Sequence, residues 1–174
     1  LAERNLDWEL VVPAPHYEAS FREYLTELGN EERYPFVLDL DSTDFTAYLK
    51  QLDDLSKGHW VPEGGVPSST YWLVKGETLV GVANLRHYLN DNIAHIGGHI
   101  GLGIRPSYRG KGLGSLLLGK TLEIARSRSI NPVHIHCYTN NLPSNGMIMS
   151  VGGVLESTVC VGNTQVSRYM VENT

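Results

Sequence analysis

The segment Gly101–Ile124, GLGIRPSYRGKGLGSLLLGKTLEI, limits the possible folds more than any other stretch of the chain. It reads as the end of a strand, a turn at Arg105-Pro106, a glycine-rich loop from Arg109 to Gly114, and then an amphipathic helix. Gly110, Gly112 and Gly114 fall where the helix should begin. A helix N-terminus leaves N–H groups unpaired and carries partial positive charge. Glycine lets a ligand come close to that backbone. The pattern therefore predicts a phosphate or diphosphate site. It is not a nucleotide P-loop, because Lys111 is followed by Gly112 rather than Ser or Thr. Nor is it a dinucleotide loop, which needs G-x-G-x-x-G directly after a strand, whereas here the spacing is G-x-G-x-G after a proline turn.

The remaining chain predicts an α/β domain of the α+β kind. Trp8–Val12 reads as a strand, and Pro15–Leu28 and Asp41–Leu55 as helices, the second capped by Asp41 or Ser42. Glu31–Leu40 and Gly58–Ser69 read as loops. Tyr71–Val74 and Thr78–Leu85 form a hairpin, and Ile93–Ile104 a long strand with a bulge at Gly97-Gly98. Gly112–Ser127 is a helix with a wide apolar stripe. Val133–Tyr138 is a strand and Ser144–Val151 a short helix ended by Gly152-Gly153. Val154–Val161 and Gln165–Val171 close the chain as a hairpin. The 174 residues are read as one domain, 1–174, with no repeat or linker.

Arg109-x-x-Gly-x-Gly, preceded by Ile104-Arg105-Pro106, resembles the acetyl-CoA loop of the GNAT superfamily of N-acetyltransferases. A second segment, CYTNNLPSNGMIMSVGG at 137–153, resembles that family's other cofactor segment through Cys137, Asn141, Ser144, Ile148 and Gly152-Gly153. The string GGHIGLGIRPSYRGKG resembles a bacterial branch of the superfamily. The resemblance spans about Tyr71 to Met170. It implies a GNAT-like mixed sheet of about seven strands flanked by about four helices. It also implies an enzyme that moves an acetyl group from acetyl-CoA to an amine by direct attack in a ternary complex, with no metal. Cofactor contacts would come from Leu102, Gly103 and Ile104, from Arg109, Gly110, Lys111, Gly112, Leu113 and Gly114, and from Asn141 and Ser144.

The chemistry sets further expectations. Backbone N–H groups of Leu102-Gly103-Ile104 are the candidates to stabilise the thioester oxygen. Gly101 and Gly103 would leave one side of their strand bare for the pantetheine arm. Many relatives place an acidic Tyr seven residues after the Asn, but here that position is Ile148. Tyr169, Tyr138 or a water would substitute. Ile148 also keeps a non-catalytic acetyl-CoA sensor or scaffold open as an alternative. His99 is the first candidate for general base and His95 the second. His134, His136 and Cys137 have no further ligand spaced with them, so no metal site is read there. Cys137 is expected to be a buried small apolar residue. Arg105, Arg109 and Lys111 are either phosphate partners or solvated cations, with solvation favoured for Arg105 and Lys111. Glu31, Glu32, Asp39, Asp41 and Asp44 would edge the acceptor entrance and favour a cationic amine such as an amino sugar, polyamine or peptide N-terminus.

A net charge of −5 argues against nucleic acid as partner. No apolar run approaches bilayer length, so no membrane partner is expected. The charged start LAERNLDWEL predicts no leader, and Cys137 and Cys160 make no disulfide framework. A reducing cytoplasm is the expected compartment. The family resemblance also implies dimerisation through exposed strands as an option.

Overall fold

A computed structural model of the chain describes residues 7–174. The expectation of no leader falls partly on residues 1–6, outside the described residues. The elements in order are β1 (Glu9–Val11), α1 (Glu18–Leu28), α2 (Phe45–Lys57), β2 (Ser68–Lys75), β3 (Thr78–Arg86) and α3 (Asp91–His95). They continue with β4 (Ile100–Ile104), α4 (Leu113–Ser127), β5 (Val133–Tyr138), α5 (Leu142–Ser150), β6 (Val154–Val161) and β7 (Thr164–Val171). Strands β1-β2-β3-β4 form one sheet and β5-β7-β6 another, each ladder antiparallel.

The first sheet is covered on both faces. Trp72 and Val74 of β2 face α1 and α2, where Trp72 stacks on Phe21 at 5.5 Å between ring centres. Phe45 and Tyr48 complete that aromatic cluster. Leu73, Val80 and Ala83 face α4 through Leu113 and Leu117. Burial on both sides explains why β3 reads as a nearly continuous apolar run. The second sheet packs α4 and α5 through Leu118, Leu122, Ile135 and Ile148. Burying a leucine of this kind stabilises the fold by about 1.5–3 kcal/mol.

Two local readings need correction. The long strand from Ile93 is instead the short helix α3 followed by β4. Asn90 explains the change, because its side-chain oxygen accepts the Ile93 N–H at 2.8 Å and starts a helix. Helix α2 is capped by Asp44, which accepts from Ala47 at 3.1 Å, rather than by Asp41 or Ser42. Asp41 accepts from Thr43 at 2.9 Å in the turn before it.

Among the described residues, the two sheets are joined by backbone hydrogen bonding at the start of β4. The His99 N–H donates to the His134 carbonyl at 2.7 Å, and Gly98 bridges Ile135. Gly98 has φ +70°, and a Cβ there would lie 2.6 Å from the His134 oxygen. Only glycine lets the backbones approach so closely. Beyond this junction β4 and β5 share no ladder, and a cleft opens between them. No helix among the described residues is long and apolar enough to cross a membrane.

Candidate active site

The cleft has a volume of about 710 Å³. Leu102, Gly103 and Ile104 of β4 line one side, and Ile135 to Tyr138 of β5 the other. Arg109, Gly110 and Gly112 to Ser115 form one end. Asn141, Ser144 and Ile148 of the α5 segment flank it, and Glu31, Glu32 and Tyr34 also line it, with Glu31 paired to Arg109.

The glycine loop is open. Gly110 and Gly112 have φ +75° and +79°, and nothing lies within 4 Å of where their Cβ atoms would be. Gly112 caps α4 in the left-handed region. Among the described residues, no acceptor takes the N–H groups of Gly110 to Ser115. Gly114 serves packing instead, since a Cβ there would press Met147 Sδ at 3.0 Å. Asn141 caps α5 beside this loop by accepting the Ser144 N–H at 3.2 Å.

A second set of donors lies along β4. Arg105 N–H bonds the Val80 carbonyl and Arg86 N–H the His99 carbonyl, which sets the phase of the ladder. Antiparallel alternation then gives the N–H groups of Gly101 and Gly103 to β3 and turns those of Leu102 and Ile104 toward the cleft. The glycines of this strand have a different purpose from the one expected. A Cβ on Gly103 would collide with the Tyr34 carbonyl oxygen, and one on Gly101 would sit 3.2 Å from the Tyr34 hydroxyl. Their bare side admits the α1–α2 connection, and it is the N–H edge that remains for a ligand.

A model of the acetyltransferase (GNAT) family matches residues 34–152, more than half of the chain. The chain belongs to the GNAT family of acetyltransferases. Comparison with curated proteins finds no match. Among solved structures, the ribosomal-protein-S5-alanine acetyltransferase of Vibrio fischeri is similar at TM-score 0.73 and 13% identity, covering 96% of this chain and 93% of that one. A ribosomal L7/L12 alpha-N-protein acetyltransferase in complex with coenzyme A gives 0.71 at 16% identity, covering 95% and 94%. A microcin C7 self-immunity acetyltransferase, in complex with acetyl-CoA and AMP, gives 0.71 at 16% identity, covering 95% and 92%. At these identities the likeness shows the GNAT fold.

Most residues expected to hold the GNAT cosubstrate come together in the cleft: Leu102, Gly103, Ile104, Arg109, Gly110, Gly112, Leu113, Gly114, Asn141 and Ser144. The free N–H row and the open glycines fit a diphosphate. Lys111 lies outside the lining, with its ammonium 5.2 Å over the Tyr108 ring. Arg109 lines the cleft but is engaged within the chain. It donates to both Glu31 oxygens at 3.2 and 2.8 Å and to the Ile104 carbonyl at 2.9 Å. Arg105 is no surface cation: it is 8% exposed and donates to Glu27, Glu23 and the Leu79 carbonyl.

The expected base and acid are placed elsewhere. His99 is buried outside the lining, and its Nδ1 accepts the His134 N–H at 2.9 Å. That lone pair is occupied, so the neutral ring carries its proton on Nε2 and has no site to take another. Burial, then the nearby His134 and Arg86 charges, lowers its pKa to about 4. His95 closes α3 and is also absent from the lining. Tyr169 is a brace. Its hydroxyl donates to Asn145 Oδ1 at 2.5 Å, and Asn145 donates to the Asn141 and Tyr138 carbonyls. Ile148 is buried and supplies no acid.

Tyr138 does line the cleft, and its hydroxyl donates to Glu32 at 2.9 Å. That bond, then burial, raises its pKa. Burial pushes the Cys137 thiol up to about 11, which leaves it protonated and a poor nucleophile. No cluster of three metal-ligating side chains occurs among the described residues. Of the acidic residues expected at the entrance, Glu31 and Glu32 line the cleft, while Asp39, Asp41 and Asp44 do not. Asn145 escaped the sequence reading. A buried Asn four residues after a helix cap has no local pattern of its own.

His99 makes the fold sensitive to acid. Its folded pKa, about 4, lies below the ordinary 6.5. Between those values the unfolded chain binds more protons, so stability falls as the pH drops from 6.5 toward 4. The urea midpoint is expected to be lower at pH 5 than at pH 7, with a smaller difference in His99→Gln. An equal difference in that variant would remove His99 as a cause.

Proposed function

We propose that this GNAT acetyltransferase acetylates a primary amine of a cationic acceptor, by direct attack on acetyl-CoA within a ternary complex. One observation carries the reading: a run of unpaired backbone N–H groups, Gly110 to Ser115, in a cleft that the carboxylates Glu31 and Glu32 also line. Coenzyme A and acetyl-CoA bound in two solved relatives of the same fold support it.

Acetyl-CoA supplies an activated acyl group, whose C–S bond breaks as the C–N bond forms. The Gly110–Ser115 amides hold the diphosphate. The Leu102 and Ile104 N–H groups, on the β4 edge, stabilise the carbonyl oxygen as it gains charge. Glu32 draws the ammonium into the cleft, Glu31 being paired with Arg109. Glu32, accepting from Tyr138, takes the amine proton through a water. A thiol with pKa of about 8.5 leaves without a dedicated acid at Ile148.

Thiol release from acetyl-CoA over a panel of primary amines tests this reading. Release with cationic amines is expected. Glu32→Gln is expected to lower kcat by about a hundredfold with acetyl-CoA affinity unchanged. Uptake of acetyl-CoA without release from any amine would replace the reading with a sensor or scaffold.

A further inference from the structure

The last residue of β3 is a cation for which the chain supplies no countercharge. Arg86 is half-buried. Its Nη1 donates to the Gly98 carbonyl at 3.1 Å, and its guanidinium carbon lies 5.4 Å over the Phe36 ring. Among the described residues, no carboxylate pairs with it, and Nε and Nη2 have no acceptor. Neither nitrogen is fully enclosed, so both keep surface that a ligand can reach. Arg105 is the contrast. There burial is outweighed by Glu27 and Glu23 and the pKa rises, whereas at Arg86 burial prevails, opposed by Tyr34 alone, and the pKa falls. A guanidinium that has lost water without gaining a carboxylate is costly to the fold, which points to an anion from outside the chain.

Arg86 lines a cavity of about 230 Å³, and no residue of that cavity lines the cleft. The two are neighbours all the same. Arg86 Nη1 lies 3.3 Å from where a Cβ on the cleft residue Gly97 would be. Size, walls and charge define the ligand. The volume falls below the ~300–1,000 Å³ of sites for drug-sized molecules, so the ligand is small. Phe36, Pro62, Val66 and Ile93 give apolar walls, which suit an apolar body. With Nη1 on Gly98, the guanidinium offers its Nε–Nη2 edge, two parallel N–H groups that match the two oxygens of a carboxylate. Glu63 also lines the cavity, from an exposed position, and its charge disfavours a second negative charge on the ligand.

We propose that this cavity is a second ligand site, for a small monocarboxylate with an apolar body, such as an aryl carboxylate, paired side-on with Arg86. It goes beyond the acetyl-transfer reading and does not depend on it, because it uses neither the glycine loop nor the carboxylates of the cleft.

The probe is benzoate. Benzamide is its neutral counterpart, and inorganic phosphate is an anion without an apolar body. In nuclear magnetic resonance spectra of the wild-type protein, the Arg86 Nε–H signal, assigned by its loss in Arg86→Lys, is expected to shift saturably with benzoate, together with the Gly64 and Gly65 amides. Benzamide and phosphate are expected to leave these signals in place. This readout does not depend on a variant folding. Arg86→Lys keeps the charge and loses the planar edge, and is expected to weaken benzoate binding about tenfold. An Arg86 signal indifferent to benzoate, an equal response to benzamide or to phosphate, or shifts confined to Gly110–Ser115 overturns the assignment. None of these results bears on acetyl transfer, so the two readings fail separately.

Discussion

Gly112→Val is expected to weaken coenzyme A binding by about a hundredfold or more, ~2.7 kcal/mol, while leaving the protein folded. Gly112 sits at φ +79° as the cap of α4, a conformation that a β-branched residue adopts only under strain. The space where its side chain would go is empty within 4 Å, so the substitution clashes with nothing in the chain. It fills the place where a diphosphate would meet the free amides. Gly119→Ala is the control. It too has nothing within 4 Å of its Cβ position, but it lies inside α4. There alanine is favoured over glycine by about 0.8–1.0 kcal/mol, so unchanged binding and slightly higher stability are expected. Titration calorimetry and thermal denaturation separate the two effects. Wild-type affinity in a folded Gly112→Val would remove the loop from the binding site.

Arg105→Met is expected to destabilise the fold by about 2–4 kcal/mol. The Arg105 side chain is 10% exposed and its partner Glu27 is 27% exposed. Glu27 also accepts the Ser107 N–H at 3.0 Å. Burial alone would raise the Glu27 pKa, but the bonds from Ser107 and Arg105 outweigh it and hold the carboxyl below its ordinary 4.5. Removing the guanidinium leaves Glu27 partly buried without its countercharge and takes a donor from the Leu79 carbonyl. Because the folded pKa is depressed, this contribution is present above the unfolded value and lost as the pH falls through the folded one. Urea denaturation at pH 7 is expected to show the full loss. The double variant Arg105→Met/Glu27→Met should recover part of it, because no unpaired charge remains. Arg105 directly precedes the turn into the glycine loop. The same variant should therefore also loosen the cradle and weaken coenzyme A binding. A variant as stable as wild type would show the pair to be incidental.

The residues that local chemistry controls were readable from sequence. The Gly110 and Gly112 pattern marked both the start of α4 and the open loop, because positive φ and an unpaired helix end are local properties. Strand β5 falls at Val133–Tyr138 as expected, bounded by Pro132 on one side and Asn140-Asn141 on the other. Most of the failures are tertiary. Arg105 looked like a surface cation because its partners Glu23 and Glu27 lie some eighty positions away, at separations of 82 and 78 residues. Gly101 and Gly103 looked like a passage for a ligand, yet they admit the Tyr34 carbonyl and Pro35. His99 looked like a free base because sequence does not show that the His134 amide occupies its lone pair. The His-x-His pair on β5 gave no sign that the His136 ring would be buried, with its Nδ1 taken by the Gly97 amide. Helix α3 was hidden because Ile93 and Ile96 suit a strand as well as a helix, and the cap at Asn90 decided between them.

Titration of the wild-type protein with coenzyme A, read by nuclear magnetic resonance of the backbone amides, tests the central claim most directly. The account predicts saturable binding, with the largest shifts in the N–H signals of Gly110 to Ser115 and smaller ones at Leu102 and Ile104. Saturable binding that leaves the Gly110–Ser115 amides unmoved, or no binding at all, would contradict it.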